Sequence, residues 1–501
     1  MRPILLSIAL LSGCPGKERD SRIDSPAPLE TGESAVVDSV ESGAPETGTR
    51  ETGTQETGLE TGDTGPLRPW TCGVDGIPSD GAPVGWRSLG EAEARFEYLG
   101  GYFAAGDQDG DGCADAAWGS SGGEDSPGRS RVFMGPLLGE MDEDDDWSAY
   151  LEGDEGDGAM YPASGDVDGD GLADWVIGGY GIDGDLGGAY VVHGPAYGTV
   201  DLWTEADAIL VGQGDTQTPY CEVSDLDADG FGDVVVLAAG YIVDGEYPGG
   251  AYVQRGPVTG TQSLSEADAV IIGDWDSGLR VGWSVSSGGD LDGDGLPDLA
   301  MGQPASLDGL GVVYLFRPPL DGTISVLDAD ALFYGEAWSY AGCDVSSGGD
   351  TDGDGYGDLL VGAWDYRDMQ GRAYLLHGPV SGTHSLGEAD AIVWADGMSA
   401  RVGYSVSLEQ DMDADGRADV AVGSPGADGA RNKGAVFLFY EPFSGTVNGF
   451  DEAEAVLYSE TDEDWPSTGY RMASAGDVNG DGYGDLHIGT LPDYLVFGGP
   501  R

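Results

Sequence analysis

The sequence predicts an all-β fold, a seven-bladed β-propeller of four-stranded blades, on three observations. An acidic nine-residue loop recurs seven times, starting at Asp107, Asp166, Asp225, Asp290, Asp350, Asp411 and Asp477, at intervals of 59 to 66 residues. Each loop is flanked by short runs rich in Val, Ile and aromatics and bounded by Gly, Pro and Asp, which are strand signals. The chain also begins and ends out of phase with its own repeat, the arrangement that closes a ring.

Each unit has four parts. The first is a strand of the type Glu-Ala-Asp-Ala-Ile-Val, as in residues 388–393. The second is a Gly-x-x-Val-Ser strand that runs into the acidic loop. The third leaves the loop at once, as in Asp358-Leu359-Leu360-Val361-Gly362, and the fourth ends in Gly-Pro, as in residues 371–379. Four strands per unit make one blade, and a closed ring of blades removes exposed sheet edges. The chain opens with a first-part strand at residues 91–96 and stops at Arg501, just after Tyr494-Leu495-Val496-Phe497. The last blade therefore lacks its outer strand, and the N-terminal strand around Ala94 to Tyr98 is expected to supply it.

Composition narrows the partners. Among 501 residues there are 91 acidic against 21 basic side chains. Nucleic acid and anionic membrane surfaces need clustered Lys and Arg, so neither is expected as a partner. The 89 glycines fit many tight turns and argue against a helical protein.

The N-terminus reads as an export segment. Met1-Arg2-Pro3 precedes an apolar run, Ile4 to Leu11, too short to span a bilayer as a mature helix. The run ends in Leu11-Ser12-Gly13-Cys14, which resembles the bacterial lipobox, so Cys14 is the expected lipid attachment site and residues 1–14 the signal. Residues 15–69 repeat Glu-Thr-Gly with almost no large apolar side chains, the composition of a disordered acidic tether. Residues 70–87 lead into a propeller at 88–501. A monomer in the cell envelope, touching the membrane only through its lipid, is expected. Cys72 and Cys113 are a possible pair; Cys221 and Cys343 sit at matching places in non-adjacent units, where a bridge would strain the geometry.

The loops carry the chemistry. Their pattern is D-x-D-G-D-G-x-x-D, with carboxylates at positions 1, 3, 5 and 9 and a backbone carbonyl offered by position 7. The expected ligand sets are Asp107, Asp109, Asp111, Cys113 and Asp115; Asp166, Asp168, Asp170, Leu172 and Asp174; and Asp225, Asp227, Asp229, Phe231 and Asp233. The next are Asp290, Asp292, Asp294, Leu296 and Asp298, and Asp350, Asp352, Asp354, Tyr356 and Asp358. The last are Asp411, Asp413, Asp415, Arg417 and Asp419, and Asp477, Asn479, Asp481, Tyr483 and Asp485. Hard oxygen donors in a flexible loop suit Ca²⁺, about seven ions in a structural role. Four carboxylates in one loop repel unless a cation sits among them, so binding should couple to folding. An EF-hand needs a Glu at position 12, which here is Trp118, Ile177, Val236, Met301, Val361, Val422 or Ile488. In the third and sixth loops Ala228 and Ala414 replace the position-4 glycine, a stiffer variant still expected to bind.

Gly476-Asp477-Val478-Asn479-Gly480-Asp481-Gly482-Tyr483-Gly484-Asp485-Leu486 resembles the FG-GAP repeat of integrin α-subunit propellers. The resemblance covers residues 88–501. It implies calcium in hairpins between the first and second strands of a blade, on a lower face, with ligands on the opposite, upper face. The Phe-Gly of the motif is mostly replaced, as in Gly403-Tyr404 and Gly282-Trp283, and all seven units carry the loop.

With the hairpins facing down, the upward loops present Trp275, Trp338, Tyr340, Trp364, Tyr366 and Arg401 as the expected ligand surface. Tyr180, Tyr241, Tyr247, Trp465, Arg280, Arg367 and Arg431 lie in the same class of loops. Aromatics and Arg dominate binding hot spots. His193 and His377 share one repeat position, just before Gly-Pro, which reads as a surface strand position. No nucleophile elbow, phosphate loop or zinc signature is present, so the expectation is a binding and adhesion module for a protein or glycan, not an enzyme. A polysaccharide-active propeller enzyme and a purely architectural envelope protein are the alternatives.

Overall fold

The computed structural model describes residues 85–88, 94–96, 101–120, 127–142, 146–213, 220–238, 249–274, 281–397, 399–408, 410–427, 434–459, 468–490 and 493–501. The chain divides into two units, Met1–Pro66 and Leu67–Arg501, and every described residue belongs to the second. That unit is a seven-bladed β-propeller. Among the described residues no helix is long and apolar enough to cross a membrane.

The fifth blade shows the plan. Val345–Ser347 is innermost, followed by Leu359–Ala363, Arg372–Leu376 and Ala391–Trp394, each antiparallel to the last. A fifth strand, Gly445–Asn448, then pairs parallel to Ala391–Trp394, and it comes from the next repeat. All seven sheets have this five-stranded order, so the expected four strands are joined by one borrowed from a neighbour. The borrowed segment begins Gly-Thr in five repeats, at Gly198, Gly260, Gly322, Gly382 and Gly445. It leads into a one-turn helix capped by a side chain, as where Ser385 accepts from Gly387 N–H. Leu386 in that turn is fully buried. Glu388 belongs to this turn, so the outer strand starts at Ala391, later than the sequence suggested.

Two N-terminal strands close the ring. The first, β1 (Gly85–Ser88), pairs parallel with Ala455–Tyr458 as the fifth strand of blade six. The second, β2 (Ala94–Phe96), pairs antiparallel with Asp493–Val496 as the outer strand of blade seven. The expected latch is present, and it grips two blades.

The core is divided among the seams between blades. Alternation along each strand points successive side chains to opposite neighbours. In Asp115–Ser120, Ala116 and Trp118 face blade seven while Ala117 faces blade two. At the closing seam Phe96 meets Trp118 at 4.2 Å and Phe133 at 5.4 Å between ring centroids. Phe96, Trp118 and Phe133 are fully buried.

Candidate metal loops and the opposite face

Each acidic loop is held by its own carboxylates. In the fifth loop the Asp350 carboxylate accepts from Gly353 N–H at 2.7 Å and from Gly355 N–H at 2.8 Å. Asp352 Oδ1 accepts from Asp354 N–H at 3.1 Å, and Asp354 Oδ1 from Tyr356 N–H at 3.0 Å. The position-6 glycines, with φ from 88° to 94° or close by, make the turn that an L side chain resists; Gly355 has φ 94°. At position 4, Ala228 and Ala414 adopt φ 56° and 57°, a left-handed conformation that costs an alanine what the glycines elsewhere avoid.

The position-9 Asp joins the loop to its blade. Asp358 Oδ2 accepts from Thr351 N–H at 2.8 Å and Oδ1 from Gly378 N–H, in the Gly-Pro turn, at 2.9 Å. Asp115, Asp174, Asp233 and Asp485 accept from Gly135, Gly194, Gly256 and Gly498 in the same way. In blade four the corresponding residue is Pro318, which has no N–H, and Asp298 Oδ1 is buried without a hydrogen bond. Burial pushes these carboxyls up: Asp115 and Asp298 to about 7, Asp233 to about 6 and Asp419 to about 8. Asp174, Asp358 and Asp485 move in the same direction for the same reason.

The loops are also joined to one another. Position-8 N–H of one loop donates to the position-1 carbonyl of the loop before it. The pairs are Ala173 to Asp107, Gly232 to Asp166, Gly357 to Asp290, Ala418 to Asp350, Gly484 to Asp411 and, across the closing seam, Ala114 to Asp477. At the place that would link the fourth loop to the third stands Pro297, which has no donor. Position-7 side chains lie over the preceding loop: a Cβ on Gly110 would come within 2.9 Å of Leu172, and one on Gly169 within 2.7 Å of Phe231.

The carboxylates gather as a cation site requires. One oxygen from each of Asp107, Asp109 and Asp115 lies within 4.8 Å of the others, and the same holds for Asp166, Asp168 and Asp174. In the next three loops the gathered groups are Asp225, Asp227 and Asp229; Asp290, Asp292 and Asp294; and Asp350, Asp352 and Asp354. The donors are all hard oxygens, which fits Ca²⁺ or Mg²⁺ and not a soft metal. The position-7 residues Cys113, Leu172, Phe231, Leu296, Tyr356, Arg417 and Tyr483 lie on the same loops, their N–H groups turned to position-5 carboxylates where hydrogen bonds are formed, as from Leu172 to Asp170. Cys113 is disulfide-bonded, while Cys221 and Cys343 are present as thiols.

His193 and His377 are not free surface groups. Their Nδ1 atoms lie 3.3 Å from Asp168 Oδ2 and 3.4 Å from Asp352 Oδ2, the position-3 carboxylates of their own blades.

The innermost strands run from the loops to the other face, and there aromatic side chains collect. Tyr102, Tyr161, Tyr220, Trp283, Tyr404 and Tyr470, each at or near the start of an innermost strand, line a central channel of about 720 Å³, with Cys343 near the start of that strand in blade five. Tyr102, Tyr161 and Tyr220 pack at centroid distances of 4.3, 5.3 and 4.8 Å. Arg471 lies 4.0 Å over the Tyr102 ring. In the sequence Tyr404 and Trp283 read only as departures from a motif; the recurrence of an aromatic at or near the start of six of the seven innermost strands was the available signal.

A row of rings runs outward from this channel. Tyr470 stacks on Tyr404 at 4.5 Å, Tyr404 is 6.0 Å from Trp364, and Trp364 is 5.9 Å from Tyr340. Arg401 sits 5.7 Å from the Trp364 ring, and Trp338 beside them is 64 % exposed. Trp338, Tyr340, Ser399 and Arg401 all have φ between 52° and 65°. The structure thus brings Trp338, Tyr340, Trp364 and Arg401 to one face. Tyr366 does not join them. It is buried, with Arg372 4.0 Å over its ring and its hydroxyl 3.4 Å from Glu336, so it braces the blade interior. Trp275, Tyr241, Tyr247, Trp465, Arg280, Arg431 and Cys14 lie outside the described residues.

Residues 281–316 and 402–439 match the FG-GAP repeat. The chain is 28 % identical over 261 residues to integrin alpha-PS2 of Drosophila melanogaster, a match covering 47 % of this chain and 17 % of that protein. It is 30 % identical over 224 residues to integrin alpha-5 of Xenopus laevis, covering 42 % and 20 %. It is 32 % identical over 164 residues to phosphatidylinositol-glycan-specific phospholipase D of Bos taurus, covering 30 % and 18 %. The matched stretches therefore span about a fifth or less of these relatives' length.

Proposed function

We propose that this FG-GAP, integrin-α-like propeller is a calcium-stabilised binding and adhesion module, exported and anchored by a lipid on Cys14. Calcium ions on the acidic loops hold the lower face, and a protein or glycan ligand docks on the upper face. The observation that carries the reading is the row Tyr340, Trp364, Tyr404 and Tyr470, continuous with the exposed Trp338 and with Arg401.

Two physical arguments support it. A bulky residue in the left-handed region costs roughly 1–2 kcal/mol, yet Trp338 and Tyr340 are both held there. Strain of this kind gathers at binding sites, where presentation of a side chain outweighs stability. Exposed aromatic rings beside an Arg also supply large contact area with little entropy loss.

The test is a glycan and protein array probed with the full chain in calcium, followed by Trp338→Ala and Trp364→Ala variants. Binding that both variants lose supports the reading. A ligand whose binding both variants leave intact would place recognition elsewhere. The likeness to a phospholipase favours a catalytic reading over the same fold; turnover of a phosphatidylinositol-glycan by the full chain, lost when upper-face carboxylates are neutralised, would replace the binding proposal.

A further inference from the structure

Building on the calcium reading, we infer that arginines pressed onto the position-3 carboxylates are built-in counter-cations that weaken chosen metal sites, so that the seven loops form a graded series. Arg255 Nε lies 3.3 Å from Asp227 Oδ2 in blade three. Arg317 Nε lies 2.6 Å from Asp292 Oδ2 in blade four. In blade six the matching residue is Tyr440, and the charge arrives from the chain end instead: Arg501 pairs with Asp413. Its guanidinium rests 5.1 Å from the Tyr440 ring.

In blades two and five the position-3 carboxylate meets an imidazole instead, His193 beside Asp168 and His377 beside Asp352; blades one and seven show the reciprocal pattern. Where position 3 is Asn479, already uncharged, the matching strand residue is Phe497. In blade one Asp109 faces no arginine from this position, which is Met134. The orientation of Asp292 does not depend on Arg317, because Asp292 Oδ1 also accepts from Asp294 N–H at 3.0 Å. What the arginine adds is therefore positive charge beside the cage, together with competition for the second carboxylate oxygen. Both oppose a divalent cation. Blade six is the extreme case, since Arg417 pairs with Asp415 of the same loop while Arg501 holds Asp413. The first loop is then the tightest site and the sixth the weakest.

The experiment is calorimetric titration of the full chain with CaCl₂ alone, comparing the parent with the triple variant Arg255→Gln, Arg317→Gln, Arg501→Gln. Three sites should tighten by about tenfold, as removal of one nearby charge would give. Met134→Arg should move one site in the other direction, with a thermal melt to confirm that it folds. Unchanged affinities, or weaker binding in the triple variant, would overturn the inference while leaving calcium binding intact. A parent that takes up no calcium would remove the calcium reading itself.

Discussion

The backbone N–H of Ala114 donates to the carbonyl of Asp477 at 2.8 Å, joining the first acidic loop to the last although 363 residues separate them. The contact exists because β1 and β2 bring the two ends of the ring together. It makes the lower face one connected run of loops, open only at Pro297.

Closure should depend on few side chains. Phe96→Ala empties the space between Trp118 and Phe133, and truncation of a buried Phe costs about 3–5 kcal/mol. Denaturant unfolding should shift by that amount. Deleting residues 85–96 should remove cooperative unfolding; a deletion variant that melts like the parent would show that the latch is dispensable.

Ala228→Gly and Ala414→Gly should each stabilise the protein, by about 1 kcal/mol, because each alanine sits at positive φ in a loop position that elsewhere holds glycine. Melts of the single variants and of the pair, which should add, check this.

Metal-free protein should lose stability as pH rises. Burial raises the folded-state pKa of the position-9 carboxyls, to values from about 6 for Asp233 to about 8 for Asp419. Above the unfolded value of roughly 4 the folded chain then binds more protons than the unfolded one, so unfolding free energy falls with pH. The fall should run from about pH 4 to pH 8 in chelator, and calcium should flatten it. A metal-free melting temperature that climbs over that window would contradict the assignment.

Trp338→Gly should separate stability from recognition. Glycine relieves the left-handed backbone, so the variant should melt no lower than the parent, while ligand capture on the upper face should fall at least tenfold, as for a hot-spot aromatic. Equal capture by both proteins would exclude Trp338 from the site.

The loops and ring closure were legible because both rest on fixed spacing: carboxylates at positions 1, 3, 5 and 9, and an orphan first strand near Ala94. The borrowed fifth strand was not, because a segment such as Gly382–Ser385 is exposed throughout and carries no burial pattern. Tyr366 and Trp338 are alike as sequence, both aromatics in upward loops. Only the approach of Arg372 and Glu336 shows that Tyr366 is buried. The pairing of Arg501 with Asp413 spans 88 residues and needs blade seven packed on blade six. The contacts of the histidines before Gly-Pro were not legible because the carboxylates they meet lie in another part of the unit.

The central claim is that the acidic loops fold around calcium. Thermal melting of the full chain in calcium, after chelation, and after calcium is restored tests it most directly. A large, reversible drop in melting temperature on chelation, recovered by calcium, is the predicted result. One melting temperature under all three conditions would contradict it.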